Sequence, residues 1–261
     1  MTALQAALEM YRTAAREAWQ SWKRSWWAIF FLLAALAARH ALLIAMAPFG
    51  FAGSLVVGTA EAALAGWYLA LVRIAVLGRR RMTWKDVREN AGKLFSETIS
   101  VLFLFFIARL VIRAVEPRAL LVLLPVANFA FNPVPELIYL GREAGMELVR
   151  RAWGFMKESW PEWLAANLLV IGLVCGLLAG LGLASLSAQT VISTSQIFGP
   201  SLGFMALPTT LLAAGNLPLG AVLCVLAAAG VHAFMLFRGH LFQALARGSR
   251  RSREWQQRTR R

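Results

Sequence analysis

The chain has 261 residues, 59% hydrophobic and 15% charged, with a mean hydropathy of +0.61 and a net charge of +14. An ordinary water-soluble domain could not hide that much apolar surface, so the composition points to an all-α polytopic membrane protein. Cys175 and Cys224 lie far apart in separate apolar segments, and His40, His232 and His240 lack ligand spacing, so neither a disulfide framework nor a metal site is expected.

Residues 1–25 read as an amphipathic helix. Leu4, Leu8, Tyr11, Ala15, Trp19, Trp22 and Trp26 recur every three or four positions, opposite Arg12, Arg16, Gln20 and Lys23. Glu9 and Glu17 argue against a cleaved signal and for a retained segment lying in the membrane interface. The segment closes on "WQSWKRSWW" at 19–27. There Trp19, Trp22, Lys23 and Trp26 make an elbow: indole settles at headgroup depth, and the cations reach lipid phosphates from the same level.

A transmembrane domain over 26–243 is expected to hold six spans, at about 26–46, 55–77, 96–115, 118–138, 163–184 and 219–238. With the N-terminus in the cytoplasm, all of the 27 Lys and Arg residues except Arg39, Arg109, Arg113 and Arg118 fall on the inner side. That asymmetry predicts both termini inside. The connection at 185–218 carries no charge and falls outside, and its apolar part from Leu202 to Ala214 is too short to cross, so it is expected to be surface-lying or re-entrant.

A second elbow, "WGFMKESWPEW" at 153–163, has its own stripe of Met146, Val149, Trp153, Met156, Trp160 and Trp163. Glu147, Arg150, Arg151 and Lys157 oppose it. Ser159 to Glu162 has capping-box spacing with Pro161 in the first turn, which predicts that the fifth span starts there. Aligned with the first elbow, Arg16 meets Arg150, Trp19 meets Trp153, Lys23 meets Lys157, Ser25 meets Ser159 and Trp26 meets Trp160. Duplication and convergence on interfacial residue types both explain the match. A weaker third copy begins at Thr83, an expected N-cap, with Asp86 three residues later.

Inside the spans, Arg39, Glu61 and Arg109 fall at one depth, roughly 10 Å below the outer surface at 1.5 Å per residue, and Arg113 is one turn from Arg109. They form either a small polar cavity for an anionic group or a buried ion pair with snorkelling arginines; the second reading is favoured. The fourth span, "LLPVANFAFNPVPE", carries Pro125, Asn128, Asn132 and Pro133, and is expected to kink. Glycine-rich phosphate loops, HExxH and GxSxG are missing from the sequence, and Glu61 is read as the only acid well inside a span, so no catalytic residue and no cofactor is expected. The tail at 244–261 concentrates arginines, among them Arg250, Arg251 and Arg253, and anionic inner-leaflet lipid is favoured over nucleic acid as its partner.

The segments "LAGWYLALVRIAVLGRRRMTWKDV", "LLPVANFAFNPVPELIYLGREAGMELVRRAWGFMKESW" and "AFMLFRGHLFQ" resemble bacterial six-helix membrane proteins. These are the membrane domain attached to some glycerophosphodiester phosphodiesterases, and the YciC-like inner-membrane family. The resemblance implies a multi-pass fold in a bacterial inner membrane. The phosphodiesterase barrel is not part of the sequence, and Pro125 is followed by valine where the family tends to have glycine. The reading that results is a non-enzymatic membrane scaffold or accessory subunit, which binds anionic lipid, partner membrane proteins or a second copy of itself through a cationic cytoplasmic face. The alternative is a small permease for an anionic or lipidic solute.

Overall fold

A computed structural model describes residues 3–78, 80–116, 118, 123, 126–127, 129–141, 144–180 and 217–247. Over these residues the chain is all helical. The helices are α1 (Ala3–Ser25), α2 (Trp27–Met46), α3 (Gly50–Leu77), α4 (Trp84–Glu89), α5 (Phe95–Val115), α6 (Gly145–Gly180) and α7 (Leu217–Arg247), with a π turn at Leu137–Gly141. Among the described residues, three stretches are long and apolar enough to cross a membrane: Trp27–Leu77, Phe95–Ile112 and Ala221–Arg247.

The first of these folds back on itself. A 3₁₀ turn at Ala47–Phe49 ends on Gly50, whose φ of +53° a residue with a Cβ adopts only under strain. The hairpin packs antiparallel: Phe31 lies 4.8 Å from the Trp67 ring, while Arg39 pairs with Glu61 nearer the turn. The second half of α3 is the centre of the core, because Ala62, Ala65, Gly66, Ala70 and Ala75 are small enough to let α2, α5 and α7 approach closely.

Away from the elbows the helices present apolar side chains outward. Ile44, Phe51, Leu55, Phe103, Leu110, Val222 and Leu226 are all exposed. Apolar surface on that scale suits a lipid solvent.

One expectation about an element boundary needs correction. Helix α1 ends at Ser25 and α2 begins at Trp27, with Trp26 between them at φ −56° and ψ −23°, but α6 runs without interruption from Gly145 to Gly180 with Pro161 inside it. No new helix begins at Ser159. Where a fourth, kinked span is expected, the described residues make a turn at 131–133 followed by the short helix Val134–Glu136, since Pro133 and Pro135 can donate no backbone hydrogen bond. Pro125, Asn128 and the connection at 185–216 lie outside the described residues.

Candidate functional site

The two tryptophan-rich helices each present three faces rather than two. On α1 the packed stripe is Ala14, Ala18, Ser21 and Ser25, all buried, whereas Leu8, Trp19 and Trp26 are exposed. At about 100° per residue the exposed apolar stripe is rotated roughly 100° from the packed one, and Arg12, Arg16 and Gln20 occupy the remainder. Helix α6 repeats the arrangement with Leu148, Ala152, Ser159 and Trp163 buried and Met146, Trp153 and Trp160 exposed. The single apolar stripes expected from the sequence are therefore each divided: Met156 and Trp163 belong to the packed face, and Trp22 is half-buried.

Aligned positions match in exposure as well as in type. Ala18 and Ala152 are buried, Ser25 and Ser159 are buried, and Trp26 and Trp160 are exposed. Lys23 sits 5.3 Å from the Trp19 ring, and Lys157 sits 5.1 Å from the Trp153 ring. The third copy shares the capping expected of it: Thr83 and Asp86 form a reciprocal capping box, and Arg80 pairs with the same carboxylate. Trp84, its tryptophan, is exposed.

Behind these faces lies a buried charge pair that the sequence reading missed. Arg238 Nε donates to Glu136 Oε1 and Nη2 donates to Oε2, both at 2.8 Å, with both side chains fully buried. Nη2 also donates to the Asn132 carbonyl at 2.7 Å, and the guanidinium stacks 4.9 Å from the Trp163 ring. Trp163 Nε1 in turn donates to Asn132 Oδ1 at 2.9 Å. The turn at Asn132–Pro133 thus supplies a carbonyl and a side-chain amide to this cluster. Gly239 lets it close: a Cβ there would come within 2.5 Å of the Tyr139 hydroxyl and 2.9 Å of Val76. Glu61 is not the only acid taken inside, and Arg238, assigned to the cytoplasmic cations, has its charge neutralised by Glu136. The available signal was "NPVPE", an acid one turn beyond a proline break.

A second polar seam joins α1 to α7. Ser25 Oγ donates to the Ser21 carbonyl at 2.8 Å, so it accepts from His232 Nε2 at 2.9 Å; His232 Nδ1 is left to accept the Tyr68 hydroxyl at 3.2 Å. One helical turn back, Ser21 Oγ meets His240 Nε2 at 3.0 Å, and His240 Nδ1 lies 3.1 Å from Glu17. These histidines are joints between helices.

Of the expected intramembrane cluster, Arg39 Nε donates to Glu61 at 2.6 Å, with the two side chains 41% and 31% exposed. The side chains of Arg109 and Arg113, and Arg250, Arg251 and Arg253 of the tail, lie outside the described residues.

A groove of about 960 Å³ lies between the charged face of α6 and the end of α7. Arg150, Arg151, Lys157 and Arg247 line it together with Glu147 and Glu158, over a floor that includes Phe155 and Phe242. The chain matches no protein-family model, no curated protein and no solved structure.

Proposed function

We propose that this chain is an integral membrane scaffold or accessory subunit that binds anionic lipid, and through it or beside it partner membrane proteins, by a cationic cytoplasmic face. The observation that carries this reading is the three-faced form of α1 and α6. A helix that packs sideways on a protein while resting on a bilayer needs one face for each neighbour: small residues for protein, indole and aliphatic groups for lipid, charge for water. Both helices meet that need in the same register.

In this reading six helices span a bacterial inner membrane with both termini in the cytoplasm, as in the six-helix proteins the sequence resembles. The elbows lie along the inner leaflet, where each cation adds about 1 kcal/mol of attraction to anionic lipid. Labelling single cysteines placed at residues 2 and 255 from either side of sealed vesicles tests the topology, and opposite accessibility of the two ends would overturn it. Vesicle flux separates the scaffold from a permease. A scaffold keeps lipid and partner binding in Glu61→Gln and weakens it on removal of residues 247–261; a permease loses solute flux in Glu61→Gln.

A further inference from the structure

The groove between α6 and α7 has chemistry beyond a generally basic surface. Four cationic side chains and two acidic ones share its wall, and Arg151 Nε is held 3.1 Å from Glu147. Its floor is apolar and aromatic, with Phe155 and Phe242 4.6 Å apart. Trp153 belongs both to this lining and to the exposed apolar stripe of α6, so the cationic wall continues directly into the face assigned to lipid. The residue that leaves the groove, Arg247, begins a tail of the same positive sign, which argues against that tail as the occupant.

From this geometry we infer that the groove is a binding site for the headgroup of one anionic phospholipid drawn from the surrounding leaflet. The phosphate meets Arg150, Lys157 and Arg247, and the upper acyl chain lies against Trp153. This rests on the interfacial placement of α6 proposed above and adds to it a defined site with headgroup selectivity. A zwitterionic lipid offers the same phosphate but brings a fixed cation into a wall with a cationic excess, so it binds less well.

The test uses the full chain in nanodiscs containing brominated phosphatidylglycerol or brominated phosphatidylcholine at equal bulk fraction. Bromine quenches nearby indole fluorescence. The share due to Trp153 is the difference between the wild type and Trp153→Phe, and the share due to Trp19 is the difference between the wild type and Trp19→Phe. At that equal fraction Trp153 should be quenched more strongly by the glycerol lipid than by the choline lipid. Arg150→Gln and Arg247→Gln should each reduce that preference about fivefold. Both arginine variants should unfold at the wild-type temperature, since neither side chain is buried.

Equal quenching of Trp153 by the two lipids, with Trp19 quenched by both, overturns the site and leaves the interfacial reading standing. Quenching of neither tryptophan overturns the interfacial reading itself. Relief of Trp153 quenching by millimolar glycerol phosphate would identify a soluble headgroup as ligand and overturn the assignment to a membrane lipid.

Discussion

Helices α1 and α6 share an outward half and differ in their inward half. Outside, both carry tryptophan with lysine stacked one turn on, and aligned positions are exposed alike. Inside, α1 offers Ser21 and Ser25 to two histidines of α7, whereas α6 offers Trp163 to Asn132 and Arg238. In the reading proposed above, the outward halves answer to one solvent boundary, which is the same for both. Each inward half answers to its own neighbour, and neighbours differ. On that reading, similarity of sequence between the two helices reports the common boundary more than common contacts.

The largest test of the inward half removes one partner of the buried pair. Glu136→Ala leaves the Arg238 guanidinium fully buried without its carboxylate, which should cost about 3–5 kcal/mol in detergent-solubilised unfolding. Replacing both residues, Glu136→Leu with Arg238→Met, should recover most of that loss, because the unpaired charge is what destabilises. A double variant no more stable than Glu136→Ala would show that the pair also positions Asn132 and Trp163 in a way no apolar pair reproduces.

On α1 the corresponding change is Ser25→Ala. It removes the acceptor of His232 Nε2 inside the protein, at a cost of about 1–3 kcal/mol. Because the same hydroxyl bridges α1 to α7, trypsin should cut at Arg12 and Arg16 faster in the variant. Unchanged cleavage would mean that the apolar stripe alone seats α1, and the contrast between the two inward halves would weaken.

The third elbow gives a smaller effect with a sign fixed by pH. Burial alone would raise the Asp86 pKa, but hydrogen bonds from the Arg80 guanidinium and from the backbone and hydroxyl of Thr83 together hold it below its ordinary value of 3.8. A depressed folded-state pKa gives stability that is complete above the unfolded pKa and is lost as the pH falls through the folded value. Asp86→Asn should therefore cost about 1 kcal/mol at pH 7. Its deficit against wild type should shrink as the pH falls below about 4; a deficit that stays constant into strong acid would contradict the capping role.

What the sequence made legible follows the same division. The lysine–tryptophan pairs of the outward half follow from residue type and helical period, since Lys23 and Lys157 lie one turn beyond Trp19 and Trp153. The capping box at Thr83 was readable because it is local. The Glu136–Arg238 pair was not, since its partners are separated by 102 residues and no local pattern marks Arg238 as anything but a flanking cation. The start expected at Ser159 failed for a related reason. Proline is tolerated inside a helix when surrounding packing compensates, and the buried stripe from Leu148 to Trp163 is continuous across it. The division of the tryptophan stripes also escaped, because period alone does not distinguish an apolar face against protein from one against lipid.

That last ambiguity defines the smallest expected effect on stability. Trp19→Ala and Trp153→Ala each remove a large side chain, yet both rings are about half exposed, at 56% and 48%. Each change should alter unfolding stability by no more than about 0.5 kcal/mol in detergent, as surface substitutions do. The same two changes should shift indole emission and weaken the seating of α1 and α6 on anionic bilayers, because the removed group contacts lipid in the reading proposed above. Were either variant to lose as much stability as Glu136→Ala, its ring would be packed on protein in solution, and the likeness of the outward halves would be a matter of sequence alone. Equal and small losses at both positions, with equal losses of bilayer contact, are what one shared boundary requires.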